Sequence, residues 1–209
     1  MAAVLFFGAK VMPWALTVVC AIAVRMLLTG ALHEDGLADF FDGFGGGGRD
    51  RQRILDIMKD SHIGTYGVLG LVVYLALLFT ALHSLTPELA ALSVLAADPY
   101  AKMLSAQIVQ MMPYARTEQT AKNGTVYRRI KTGAAALLAV QGLLPLVLYL
   151  YYFRYEMEWE YFVFVPCLVM YFLYRMIWAR LRGYTGDCCG ALFLLTELSF
   201  YMNLAIQST

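Results

Sequence analysis

The sequence predicts an all-α integral membrane protein: a single membrane domain over residues 1–209, built as a bundle of about six transmembrane helices with one short interfacial helix. Three observations predict it. Hydrophobic residues make up 60% of the chain and charged residues 15%, against roughly 45–50% and about 25% in a soluble domain. The apolar excess lies in blocks of about 20 residues, the length a helix needs to cross a hydrocarbon core of about 30 Å. The blocks do not alternate as barrel strands would, and backbone amides in hydrocarbon must be satisfied within each segment, which selects helix.

Six apolar segments can be read, over 12–32, 64–82, 87–112, 132–153, 159–181 and 188–206. The third is the least apolar because it holds Asp98, Pro99 and Lys102. Between the first two, Ile54, Leu55, Ile57 and Met58 alternate with charges, which predicts a short amphipathic helix at the interface. The start of the chain lacks a basic stretch ahead of its apolar residues, so no cleaved signal peptide is expected.

Loop charge sets the expected orientation. Arg49, Arg51, Arg53 and Lys59 follow the first segment; Arg116, Lys122, Arg128, Arg129 and Lys131 follow the third; Arg180 and Arg182 follow the fifth. The positive-inside rule puts these loops in the cytoplasm and both termini outside. Tyr151, Tyr152, Tyr155, Trp159 and Tyr161 then form an aromatic belt at the outer interface. Net charge is +1, which gives no bulk attraction for nucleic acid. The four cysteines show neither metal-ligand spacing nor a disulfide framework. The sequence leaves the oligomeric state open.

The chemistry concentrates on the basic face. Seven of the fifteen acidic residues lie between Glu34 and Asp60. Asp35, Asp39 and Asp42 stand at i, i+4 and i+7, on one face of a helix. Three carboxylates so placed repel one another unless a hard cation joins them, and Mg²⁺ characteristically bridges a few carboxylates to substrate phosphates. A solvated acidic face is the alternative. The run Gly45 to Gly48 suits either a close phosphate approach or a hinge. Arg51 and Arg53 suit anionic headgroups, and Arg116 offers a planar fork for phosphate or a membrane anchor. Asp187 suits the N-terminal cap of the last helix. Inside the apolar segments, Asp98 and Lys102 can pair at i, i+4 or equally serve a substrate, Glu197 needs a partner, and Arg25 can snorkel to the interface.

These motifs resemble the cobalamin synthase family, the adenosylcobinamide-GDP ribazoletransferases. The resemblance rests on His33-Glu34-Asp35-Gly36-Leu37-Ala38-Asp39 with Asp42-Gly43, and on Met58-Lys59-Asp60-Ser61 with Ile63-Gly64-Thr65-Tyr66-Gly67. It continues through Pro113-Tyr114-Ala115-Arg116 and Thr185-Gly186-Asp187 with Gly190 and Glu197, in the same order. It implies that adenosylcobinamide-GDP reacts with α-ribazole or its 5′-phosphate, releasing GMP, with Mg²⁺ as cofactor, in a prokaryotic cytoplasmic membrane. It further implies Asp35, Asp39 and Asp42 as catalytic carboxylates, joined by Asp187 as metal ligands. Glu34, Lys59, Asp60, Arg116, Thr185 and Gly186 are implied to contact substrate. Two departures are that members usually carry more residues ahead of the first segment, and that His62 stands where arginine is more common.

Two other functions compete. A membrane CDP-alcohol phosphotransferase shares Asp39, Asp42 and Gly43, but its motif expects other residues at Gly46, Gly47, Asp56 and Gly64. A transporter or channel would explain the intramembrane charges, but would concentrate polar groups at the midplane rather than at one face.

Overall fold

The computed structural model describes residues 1–116, 130–154 and 157–208. The described residues fold into ten helices: α1 (Ala2–Gly8), α2 (Trp14–Thr29), α3 (Leu32–Gly46), α4 (Arg51–Lys59), α5 (Thr65–His83), α6 (Pro87–Ala106), α7 (Ile108–Met111), α8 (Thr132–Tyr152), α9 (Trp159–Leu181) and α10 (Gly186–Gln207).

Four helices, α5, α8, α9 and α10, are long and apolar enough to cross a membrane, and α2 with α3 passes the same test as a bent pair. Six spans were expected. The difference lies in α6, whose apolar length holds Glu88, Asp98 and Lys102, and in the first segment, which breaks. Gly30 and Ala31 both adopt left-handed backbone, φ 62° and 53°, and turn the chain through 90° between α2 and α3. Gly30 takes that conformation without a side-chain penalty, whereas Ala31 is strained. The break ends α2 and frees the acidic motif to form a helix of its own.

The bundle sorts by burial. Most of α10 is buried, packed against α3, α5, α6 and α9. The outer helices α5, α8 and α9 expose Leu69, Val72, Leu144, Val147, Phe164 and Phe172, an apolar surface that needs lipid for solvent. Tyr151, Tyr152, Trp159 and Tyr161 are exposed around the α8–α9 connection, as a belt requires; Tyr155 lies outside the described residues, as do Lys122, Arg128 and Arg129. Helix α1, which the hydropathy pattern did not separate, packs on α6 and α2.

The amphipathic helix forms as expected, capped by Asp50, whose carboxylate accepts from the amides of Gln52 and Arg53. The glycine run closes the turn from α3 to α4, with Gly48 at φ 62°.

The intramembrane charges are paired. Lys102 donates to both carboxylate oxygens of Asp98 at 2.8 Å. Arg25 does not snorkel: it is 8% exposed and donates to Glu197 at 2.8 Å, to Glu34 at 3.3 Å and to the Tyr74 hydroxyl at 2.7 Å. Tyr201 donates to the other Glu197 oxygen at 2.7 Å. This network ties α2, α3, α5 and α10 together just beyond the α2–α3 break.

Candidate active site

The C-terminal end of α6 and the N-terminal ends of α3 and α10 line one side of the bundle together. There α3, α6, α7 and α10 enclose a cavity of about 620 Å³. Its wall includes Asp35, Asp187, Thr185, Gly186 and Arg116, which the sequence singles out, together with His33, Lys102 and Tyr114.

Glycines set the approach of α3 to α10. A Cβ on Gly36 would stand 3.1 Å from the Cα of Asp187, and one on Gly190 would stand 3.1 Å from the His33 carbonyl oxygen. The two helices therefore touch backbone to backbone, which brings Asp35 and Asp187 to a common wall across 152 residues of sequence (187 − 35).

The third wall comes from a short parallel bridge. Ala115 N–H donates to the Tyr184 carbonyl at 2.8 Å and Tyr184 N–H to the Pro113 carbonyl at 3.0 Å. Gly183 permits this, since a Cβ there would lie 2.7 Å from the Pro113 oxygen. Arg51 clamps the bridge from α4, donating to the carbonyls of Leu181 at 2.8 Å and Ala115 at 2.6 Å. It serves the fold, not headgroups as the sequence suggested. A buried loop leaves carbonyls that water cannot reach, and a guanidinium satisfies several at once.

The three carboxylates of α3 do not act as one set. Asp35 and Asp42 share a stripe, but seven residues of helix separate them by about 10 Å along the axis. Asp35 is exposed to the cavity beside α10. Asp42 is 7% exposed and accepts the amides of Gly64 at 2.6 Å and Gly67 at 2.8 Å, capping the N-terminus of α5. Asp39, between them, is half-buried. Angular spacing alone grouped the three. The structure moves Asp42 to a capping task.

Capping of α10 also differs from expectation. Thr185, 1% exposed, is the N-cap and accepts the Cys188 amide at 3.3 Å. Its hydroxyl lies 3.2 Å from Asp187 Oδ2, so Asp187 occupies the first turn, where the helix dipole favours a carboxylate.

The remaining sequence candidates divide. Arg116 lines the cavity but is 8% exposed, gives Nη2 to the Leu55 carbonyl at 2.9 Å and keeps a buried, unpartnered Nε. Glu34 is buried in the Arg25 network and does not line the cavity. Lys59 ends α4 on the surface, and neither it nor Asp60 lines the cavity. Asp60 shapes the turn into α5: hydrogen bonds from the His62 imidazole and then its amide hold the Asp60 carboxylate below its ordinary pKa. His33 was quoted without an assigned role, and Lys102 as a partner for Asp98 or for a substrate. Their shared contact with Phe193, at 4.8 Å and 5.0 Å from the ring centroid, is a tertiary feature without a sequence signal.

Among the described residues no group of three or more His, Cys, Asp or Glu side chains forms a metal cluster. Two carboxylates on one wall are nevertheless a donor set that suits Mg²⁺, which keeps several waters and commonly takes one or two carboxylates plus substrate phosphates.

Comparison with known proteins identifies one family. The sequence profile of the family described as cobalamin-5-phosphate synthase matches residues 1–205. An adenosylcobinamide-GDP ribazoletransferase of Leptospira interrogans is 30% identical over 97% of this chain and 77% of its own length. That of Vibrio parahaemolyticus is 34% identical over 97% and 75%, and that of Shewanella baltica 35% identical over 93% and 73%. No solved structure matches the chain.

Proposed function

The chain belongs to the cobalamin-5-phosphate synthase family, and from that premise we propose that it works as an adenosylcobinamide-GDP ribazoletransferase at the cavity between α3, α6 and α10. It joins adenosylcobinamide-GDP to α-ribazole or its 5′-phosphate, releases GMP and forms adenosylcobalamin or its 5′-phosphate. The observation that carries the reading is the convergence of Asp35, Asp187, Thr185 and Arg116, drawn from three separated motifs, on one cavity at the helix ends.

A ribose hydroxyl of α-ribazole attacks the phosphorus that bears the cobinamide; the new P–O bond forms as the bond to the GMP oxygen breaks. Such transfer depends on positioning and on stabilising oxygen charge more than on covalent chemistry. Asp35 and Asp187 would hold Mg²⁺, with Asp39 one turn behind Asp35 as the third carboxylate. The ion would neutralise the pyrophosphate oxygens. Arg116, fixed by the Leu55 carbonyl, adds positive charge to the same cavity. Thr185 and Gly186 present the N-terminus of α10, whose dipole favours anions. The intramembrane charges that suggested a transporter are neutralised pairwise. The CDP-alcohol alternative stays disfavoured by Gly46, Gly47, Asp56 and Gly64, where its motif expects other residues.

The positive-inside pattern supports a cytoplasmic-membrane protein whose cavity opens to the cytoplasm, where both substrates are water-borne. Purified protein in detergent, given adenosylcobinamide-GDP and α-ribazole, should release GMP only with Mg²⁺ present. Absence of GMP release from folded protein would refute the reading; equal release after chelation would remove the metal assignment.

A further inference from the structure

Among the described residues, the cavity wall carries two cationic side chains, Arg116 and Lys102. They are differently engaged. Arg116 is nearly buried and already donates to a backbone carbonyl. Lys102 is half-exposed, with 45% of its side chain accessible, and its ammonium is bounded by Asp98 on one side and the Phe193 ring on the other. An ammonium has three donors. Asp98 takes at most two, which leaves at least one for a ligand. Lys102 belongs to α6 and lines the same cavity as Asp35 of α3 and Asp187 of α10.

We propose that Lys102 binds a phosphate group of the substrates, with Asp98 and Phe193 as positioning residues that hold its ammonium at the cavity wall. The proposal rests on the activity proposed above. An anion brought to Asp35 and Asp187 cannot be balanced by carboxylates, and a second positive group lining the same cavity is what its outer oxygens require. Lysine suits this place as a compact point charge that rotates to follow a moving phosphoryl group, where a guanidinium would fix one plane. Phe193, 3% exposed, offers its face to the ammonium and so favours the extended stem over one folded back along α6. The phosphate is either the pyrophosphate of the activated corrinoid or the 5′-phosphate of α-ribazole 5′-phosphate.

Steady-state kinetics of Lys102→Met, Lys102→Arg, Asp98→Asn and the Asp98→Asn/Lys102→Met pair separate this role from simple charge pairing within α6. Lys102→Met should lower kcat/KM about tenfold or more, Lys102→Arg should recover part of it, and the double variant should remain as defective as Lys102→Met. A raised KM for adenosylcobinamide-GDP assigns the contact to the pyrophosphate. A raised KM for α-ribazole 5′-phosphate, but not for α-ribazole, assigns it to the 5′-phosphate. The proposal fails if all KM values are unchanged in Lys102→Met, or if the double variant regains wild-type kinetics, since the lysine would then only neutralise Asp98. Should methionine at 102 prevent folding, Lys102→Gln takes its place under the same criteria. Wild-type protein that releases no GMP would instead overturn the activity itself, an outcome separate from an active enzyme indifferent to Lys102.

Discussion

Gly36 of α3 lies so close to Asp187 of α10 that a Cβ on the glycine would stand 3.1 Å from the aspartate Cα. Both atoms belong to helix backbones, so neither can rotate away as a side-chain end would. The contact places the Asp35 and Asp187 carboxylates on one wall.

Gly36→Ala should therefore act on catalysis before it acts on folding. A displacement of a few tenths of an ångström to about 1 Å between the two carboxylates costs up to about 100-fold in rate when positioning dominates. Gly133, at the start of α8, has nothing within 4 Å of its would-be Cβ, so Gly133→Ala is the control. GMP release by Gly36→Ala at the rate of the control would show that the separation of α3 and α10 is not critical.

Asp42 and the cavity carboxylates should separate into two classes. Asp42→Asn removes a charged cap from α5, and loss of a cap costs about 1–2 kcal/mol; a lowered midpoint of thermal unfolding is its expected signature. Asp35→Asn and Asp187→Asn should unfold as wild type does, yet lose most Mg²⁺-dependent turnover, and Asp39→Asn should follow them. If Asp35→Asn retains full activity while Asp39→Asn and Asp42→Asn are inactive but stably folded, the ion sits further along α3 than proposed.

The Arg25 network makes a prediction about stability alone. Removing one partner of a buried ion pair leaves an uncompensated charge and costs about 3–5 kcal/mol. Arg25→Met should unfold at markedly lower temperature, and adding Glu197→Gln should restore part of the loss, because the stranded carboxylate is gone. No recovery in the double variant would mean that Arg25 matters for packing rather than for charge.

Arg51 and Arg53 look alike in sequence and should behave differently. Arg51→Ala strands the carbonyls of Leu181 and Ala115, each worth about 1–3 kcal/mol when buried and unpaired, and should disturb the bridge that carries Arg116. Arg53 is exposed, and Arg53→Ala should change neither unfolding nor KM. Similar behaviour of the two variants would return Arg51 to a general role at the membrane surface.

Orientation is checked with single cysteines. Arg53→Cys on α4 and Lys131→Cys ahead of α8, both at exposed positions, should react with membrane-impermeant maleimide only when the cytoplasmic face is accessible. Modification of either from outside intact cells would place the cavity on the opposite face.

The sequence by itself determined the helical membrane class, the amphipathic α4, the pairing of Asp98 with Lys102 and the three motifs that build the cavity. Each of these follows from local spacing: runs of apolar residues, one helical turn between charges, glycines and acids in a fixed order. Spacing could not say which stretch bends. Gly30 is a helix-stop signal, but inside an apolar run one glycine does not decide a break and nothing marks Ala31 as left-handed, so the turn that frees α3 was missed. Nor could it say what each side chain meets. Asp35, Asp39 and Asp42 form one stripe by angle, but a stripe about 10 Å long passes two different helix ends, and α5 claims Asp42 while α10 stands opposite Asp35. Arg25 was assigned to the interface because it lies close enough to its helix end to snorkel, and Arg51 because an interfacial amphipathic helix turns its arginines to headgroups. Only the packed bundle brings them Glu197, 172 positions away, and the Leu181 carbonyl, 130 positions away. Burial sets those assignments: once water is excluded, a cation must take whatever acceptors tertiary packing supplies.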